Sequence, residues 1–274
     1  MKTTMRAVLF FFLAAFPALA ADGIAFISDL KGDVSVDGAP RPMLLAELSK
    51  GQKVGVGRDS QASVMFISTG KEYILKGPAE YVVKDTEIAG SIMPPVSRST
   101  EWRANSRVLA QVAQTSAASV RMRSAAAPKA QSVAKAAFPA EGSVATLQPL
   151  FRWAGEPQAD FTLLAVGQEK PVHVARAVNG GNYKVPAKLR PETEYAWTAV
   201  AAGNEIGAGK FRTLTPDAQA RVEKRRPSAR AEFSDRLMFA LLLQEVGAVQ
   251  EAREAWARLS QERSDLPELS ALAR

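Results

Sequence analysis

A chain of 274 residues and 29.4 kDa has room for one large domain or two to three small ones. Its 47% hydrophobic and 23% charged residues make an ordinary globular composition, which excludes a wholly disordered chain. Zero cysteines and a single histidine exclude thiolate catalysis, cysteine zinc sites, structural disulfides and multi-histidine metal centres.

The first twenty residues read as an export signal. Lys2 and Arg6 precede an apolar stretch from Ala7 to Leu19, and Ala18-Leu19-Ala20 stands before Ala21. A charged start, a short apolar core and a small-x-small site predict cleavage between Ala20 and Ala21. The apolar stretch is short for a bilayer core of about 30 Å. An uncleaved anchor is the alternative. The mature chain is expected to be soluble, in the periplasm or otherwise associated with the envelope.

Residues 21–90 read as a small all-β unit. Val34 and Val36 alternate with polar neighbours, Asp37-Gly38 supplies a turn, and Ala62, Val64 and Phe66 alternate with Ser63 and Met65. Residues 91–140 are a connector holding thirteen alanines, eight serines and seven basic residues against one acid. Within it, 100–123 is expected to form a helix with Trp102, Leu109, Val112 and Ala113 on one face, and 124–140 a flexible linker. The connector carries most of the +7 net charge, away from any folded face, so no nucleic-acid partner is expected.

Residues 141–215 read as a second β module. Phe161, Leu163 and Ala165 alternate, Asn179-Gly180-Gly181-Asn182 is a turn, and the Leu189–Ala199 stretch alternates through Tyr195 and Trp197. Residues 216–274 are helical. Thr215-Pro216-Asp217 starts a short helix, Ala229–Glu245 a second, Gly247 ends it, and Ala252, Ala255, Trp256 and Leu259 stripe a third.

Three resemblances follow from these residues. Gly32-Asp33-Val34, Val36, Leu48, Gly51, Val54, Gly57, the Ser60–Phe66 alternation, Gly70, Leu75 and Gly77-Pro78-Ala79 resemble the periplasmic FecR domain. That likeness implies a small β fold and an envelope location. Trp153 with Leu189, Pro191, Tyr195 and Trp197 resembles a fibronectin type III sandwich, implying a spacer or binding module. Ala240, Gly247, Ala252 and Trp256 resemble one tetratricopeptide hairpin, implying either a protein-docking surface or a structural cap. The expected fold class is therefore mainly β and multi-domain, ending in a short helical hairpin.

Chemistry is sparse along the chain. Asp33-x-Ser35-x-Asp37-Gly38 begins like a calcium loop, but Pro40 intrudes and Leu44 stands where a glutamate is needed. Gly55-x-Gly57 lacks the third glycine of a dinucleotide loop, and His173 has no nucleophile context. No enzyme activity, metal or cofactor is expected. The basic connector offers the candidate surface-binding residues Arg98, Trp102, Arg103, Arg107, Arg121 and Arg123. They are either a solvated linker or an attraction to a cell-wall polymer, an anionic membrane surface or an acidic partner. The expected function is an exported envelope adaptor with a protein partner. Alternatives are a peptidoglycan- or glycan-binding module and, more weakly, a carboxylate-based glycan hydrolase.

Overall fold

The computed structural model describes residues 23–90, 92–123, 137–155, 158–228 and 230–274. The signal-peptide expectation, with Ala20 and Ala21, lies outside these residues, as does 124–136 of the linker expected over 124–140; its end belongs to the fold instead, with Phe138 buried and bridged to Arg152.

The first β unit begins with β1 (Ala25–Lys31), β2 (Val34–Val36), β3 (Ala39–Pro40), β4 (Glu47–Leu48) and β5 (Lys53–Val56). It continues through β6 (Gln61–Phe66), β7 (Lys71–Lys76), β8 (Ala79–Val83), β9 (Ile88–Gly90) and β10 (Val96–Ser99). These make two antiparallel five-stranded sheets, ordered β10-β7-β6-β1-β4 and β3-β2-β5-β8-β9. Strand β10 lies in the stretch that the sequence assigns to the connector, yet it completes the first sheet, with Arg98 opposite Glu72 and Ser97 opposite Tyr73.

The alternation expected of β6 takes a different form. Ser63 and Met65 are buried along with Ala62, Val64 and Phe66, and β1 is buried from Ala25 to Leu30. A strand that loses its alternation is covered on both faces. One face holds Ile27, Val64 and Tyr73 in register. The other holds Phe26, Met65, Glu72 and Arg98 in register, and helices cover it.

Helix α1 (Ser106–Arg123) starts six residues later than the sequence suggests and buries Leu109 and Val112. The second β unit follows: β11 (Ser143–Val144), β12 (Leu150–Arg152), β13 (Ala159–Ala165), β14 (His173–Val178), β15 (Asn182–Lys184), β16 (Glu194–Ala201) and β17 (Asn204–Thr213). Its main sheet runs β11-β17-β16-β13-β14, and β12 pairs with β15. Phe151, Trp153, Phe161, Trp197 and Phe211 close a core of their own, with the Phe151 and Phe161 ring centres 4.8 Å apart. The strand predicted from Leu189 begins at Glu194. Leu189 stays buried ahead of it, and the Arg190 N–H donates to Tyr195 Oη at 3.0 Å.

Four helices complete the described chain: α2 (Pro216–Lys224), α3 (Phe233–Glu245), α4 (Val249–Glu262) and α5 (Pro267–Leu272). Thr215 caps α2, its Oγ1 accepting from the Ala218 N–H at 3.2 Å. Gly247 turns α3 into α4 at φ 78°, a conformation that favours a residue without Cβ. The fold is thus mixed and mostly β, with several antiparallel sheets followed by a C-terminal group of helices.

One core contains the first β unit, Leu109 and Val112 of α1, and the buried residues of α3, α4 and α5. The second β unit has a separate core. The terminal helices therefore pack into the unit farthest from them in sequence, and the second β unit is inserted between the two. The sequence weighed these helices as a cap on their neighbour or as a docking surface. Neither view includes this shared core.

Candidate functional site

Three sets of polar contacts fix the helices to the β units. The first surrounds Glu72, which is only 1% exposed. Its Oε1 accepts from Ser28 Oγ at 2.7 Å, and its Oε2 accepts from Arg98 Nε at 2.5 Å and from Ser234 Oγ at 3.2 Å. Arg98 also donates to Asp235 at 3.0 and 3.2 Å, and Trp102 Nε1 donates to the same carboxylate at 3.0 Å. A buried carboxylate needs a cation and further donors, and this one has both.

The second set surrounds Arg263. It bonds Asp29 and the Leu30 carbonyl of β1, reaches Asp265 at 2.8 and 2.9 Å, and lies over the Phe233 ring. Near it, buried Glu268 accepts from the Leu44 N–H at 2.8 Å.

The third set joins α2 and α4 to the segment 137–145 that leads into the second β unit. Gln250 accepts from Ala140 N at 2.8 Å and donates to Ala137 O at 3.0 Å. Glu251 Oε1 accepts from Ala145 N at 2.8 Å, and Gln219 Nε2 donates to Ala145 O at 3.2 Å.

Where the third set ends, a groove of about 560 Å³ opens between the second β unit and the helices. That volume lies within the range of ligand-binding clefts, about 300–1,000 Å³. Its floor is apolar: Phe138 and Leu150 from the β side, and Phe239, Leu243 and Leu259 from the helices. Glu251, Glu254 and Arg258 reach it because residues spaced by three, four and seven share one face of α4.

Cations dominate the rim. Arg152 bonds Glu254, and Arg258 stands 3.6 Å from the same carboxylate. Arg236 pairs with Glu262 outside the groove. Arg226 lies over the Phe239 ring at 5.6 Å, and among the described residues it has no salt-bridge partner. One glutamate thus serves two guanidinium groups, and Arg226 favours the charged form of Glu251 through space. Glu251 is only about half charged near neutral pH. Burial pushes its carboxyl up to about 7, against the hydrogen bond from Ala145 that favours the charged form. The residue as a whole is partly accessible, but Oε2 is closed off from solvent and has no hydrogen-bond partner.

The six candidates from the connector are not brought together. Arg98 and Trp102 are corrected from surface contacts to parts of the fold. Strand pairing sets Arg98 beside buried Glu72, and Trp102 is 7% exposed, with Gly70 leaving no room for a Cβ against its carbonyl. Arg103 is exposed and donates to the carbonyls of Thr69 and Trp102. Arg107 is exposed on α1. The side chains of Arg121 and Arg123 lie outside the described ones. His173 sits on edge strand β14, its Nε2 2.7 Å from Tyr183 Oη.

The groove was missed in the sequence because its walls come from segments about a hundred residues apart. One signal was present: Glu251, Glu254, Ala255 and Arg258 form a second stripe beside the Ala252–Trp256 core stripe. Among the described residues, no three of His, Cys, Asp and Glu gather as metal ligands, and no helix is long and apolar enough to cross a membrane. Compared with known proteins, the chain matches no protein-family model, and the search of curated proteins gives no match.

Proposed function

We propose that this chain is an exported, non-enzymatic envelope adaptor that docks a segment of a partner protein in the groove between its second β unit and its helices. The observation that carries the reading is the groove itself, an apolar floor under a cationic rim, held open by contacts from both sides. Apolar floors supply affinity and spaced charges supply orientation. The modular resemblances belong to the same proposal. A FecR-like first unit suits an envelope location. The Arg190 bond to Tyr195 Oη supports a fibronectin-like second unit, in which such a corner closes the sandwich. The α3–α4 hairpin with Gly247 and buried Trp256 supports a tetratricopeptide-like end. The glycan-binding alternative loses its aromatic contact, because Trp102 is committed to Asp235.

Photo-crosslinking in cells tests the adaptor. A benzoylphenylalanine replaces Leu150, 46% exposed in the groove wall, or Val174, 48% exposed on the edge strand. The Leu150 probe is expected to give one discrete adduct that persists in moderate salt, and the Val174 probe none. No adduct from Leu150, or the same adduct from both positions, contradicts the reading.

A further inference from the structure

We infer that Glu251 is a pH-sensitive latch: protonated, its side chain lets α4 hold the second β unit, and ionised, it drives the two apart. The inference does not depend on what the groove receives.

The grip of the helices on the second β unit is small. That unit has its own core and reaches the core of the helices through Ala145, just past β11, and Leu214, just past β17. Polar contacts do the rest. Gln250 holds Ala137 and Ala140, the Ser143 N–H donates to Gly247 O at 3.1 Å, and Arg152 pairs with Glu254. Gln219 and Glu251 take the carbonyl and the N–H of Ala145. Units joined through so modest a surface move relative to each other unless something fixes them.

Glu251 sits inside that grip. Its Oε1 takes the Ala145 N–H, while Oε2 is closed off from solvent with no hydrogen-bond partner. A neutral carboxyl endures this at modest cost. A carboxylate has one oxygen with neither donor nor water, and ionisation strengthens only the bond it already has. Parting the surfaces brings water to Oε2.

The surrounding charges do not remove the penalty. Glu254 on the same helix opposes ionisation, and Arg226, after α2, favours it. The others are engaged: Arg152 and Arg258 with Glu254, Arg236 with Glu262, and Glu223 with Gln219. Burial outweighs Arg226 and the Ala145 bond, and the carboxyl is held at about 7. In the parted form it returns to the ordinary 4.5. The ratio of parted to closed molecules therefore rises about three hundredfold in all, gained between pH 4.5 and pH 7.

Spin labels test the latch. The chain has no cysteine, so Val174→Cys on β14 and Arg253→Cys on α4, both exposed, give one labelled pair. Pulsed electron spin resonance reads their separation at pH 4.5 and pH 8. One narrow distance is expected at pH 4.5, joined by a longer population at pH 8. Glu251→Gln, which keeps the acceptor for Ala145, is expected to hold the narrow distance at both. Arg226→Gln is expected to enlarge the longer population at pH 8, because the cation that favours the buried carboxylate is gone. The same distance at both pH values, a longer population in Glu251→Gln as well, or a smaller one in Arg226→Gln overturns the inference.

Discussion

Arg98→Met is expected to lower the free energy of unfolding by about 3–5 kcal/mol, because it strands a buried carboxylate. Glu72 lies on the sheet face that the helices cover, and among the described residues Arg98 is its only ion-pair partner. Burial works against the charge on Arg98. The bonds to Asp235 and Glu72 more than offset it, leaving the guanidinium pKa above its ordinary value. In the variant, Ser28 and Ser234 still donate to Glu72, and Trp102 still donates to Asp235. Hydroxyl donors alone do not replace a cation beside a buried carboxylate. Removing both charges with Arg98→Met and Glu72→Leu is expected to restore most of the loss, because a paired charge and an apolar pair of similar volume differ little in net stability. Urea unfolding at pH 7 measures both variants. A single variant within about 1 kcal/mol of the parent would mean that the network does not bind the helices to the sheet.

Glu251→Gln is expected to stabilise the protein at pH 8 and leave it unchanged at pH 4.5. The folded-state pKa is raised, from 4.5 to about 7, chiefly by burial. Between those values the folded chain holds a proton that the unfolded chain releases, so stability falls as pH rises and the loss is complete above about 7. The size of the shift corresponds to about 3–4 kcal/mol. Glutamine cannot titrate, and its Oε1 still accepts from Ala145 N. Other groups shift the opposite way: Asp265 and Glu262 are held below their usual range by their bonds to Arg263 and Arg236. The parent-minus-variant difference cancels them. Urea unfolding at pH 4.5 and pH 8 is the measurement, and a difference that does not change with pH removes the buried, neutral Glu251.

Local features were legible in the sequence where local physics decides them. Alternation through Tyr195, Trp197 and Ala199 marked β16, the Asn179–Asn182 turn joined β14 to β15, Thr215 capped α2, and Gly247 ended the helix before α4. Long-range pairing was not. Nothing near Arg98 announces that Glu72 lies opposite it or that Asp235, 137 residues away, completes the pair. A basic residue in an alanine- and serine-rich stretch therefore looked solvated. One clue was available in β1, where Phe26-Ile27-Ser28-Asp29-Leu30 does not alternate, as expected for a strand buried on both faces. The groove escaped for the same reason as Arg98: its chemistry exists only once the helices fold back across the chain.

The account depends on the terminal helices belonging to the core of the first β unit while gripping the second. Amide hydrogen exchange of the intact protein, followed by mass spectrometry, tests this most directly. Segments 25–31, 61–66 and 233–245 are expected to open together with one shared free energy, while 159–165 and 194–201 open in a separate event. Contradiction would come from 233–245 exchanging with the second β unit, or exchanging freely while 25–31 and 61–66 stay protected.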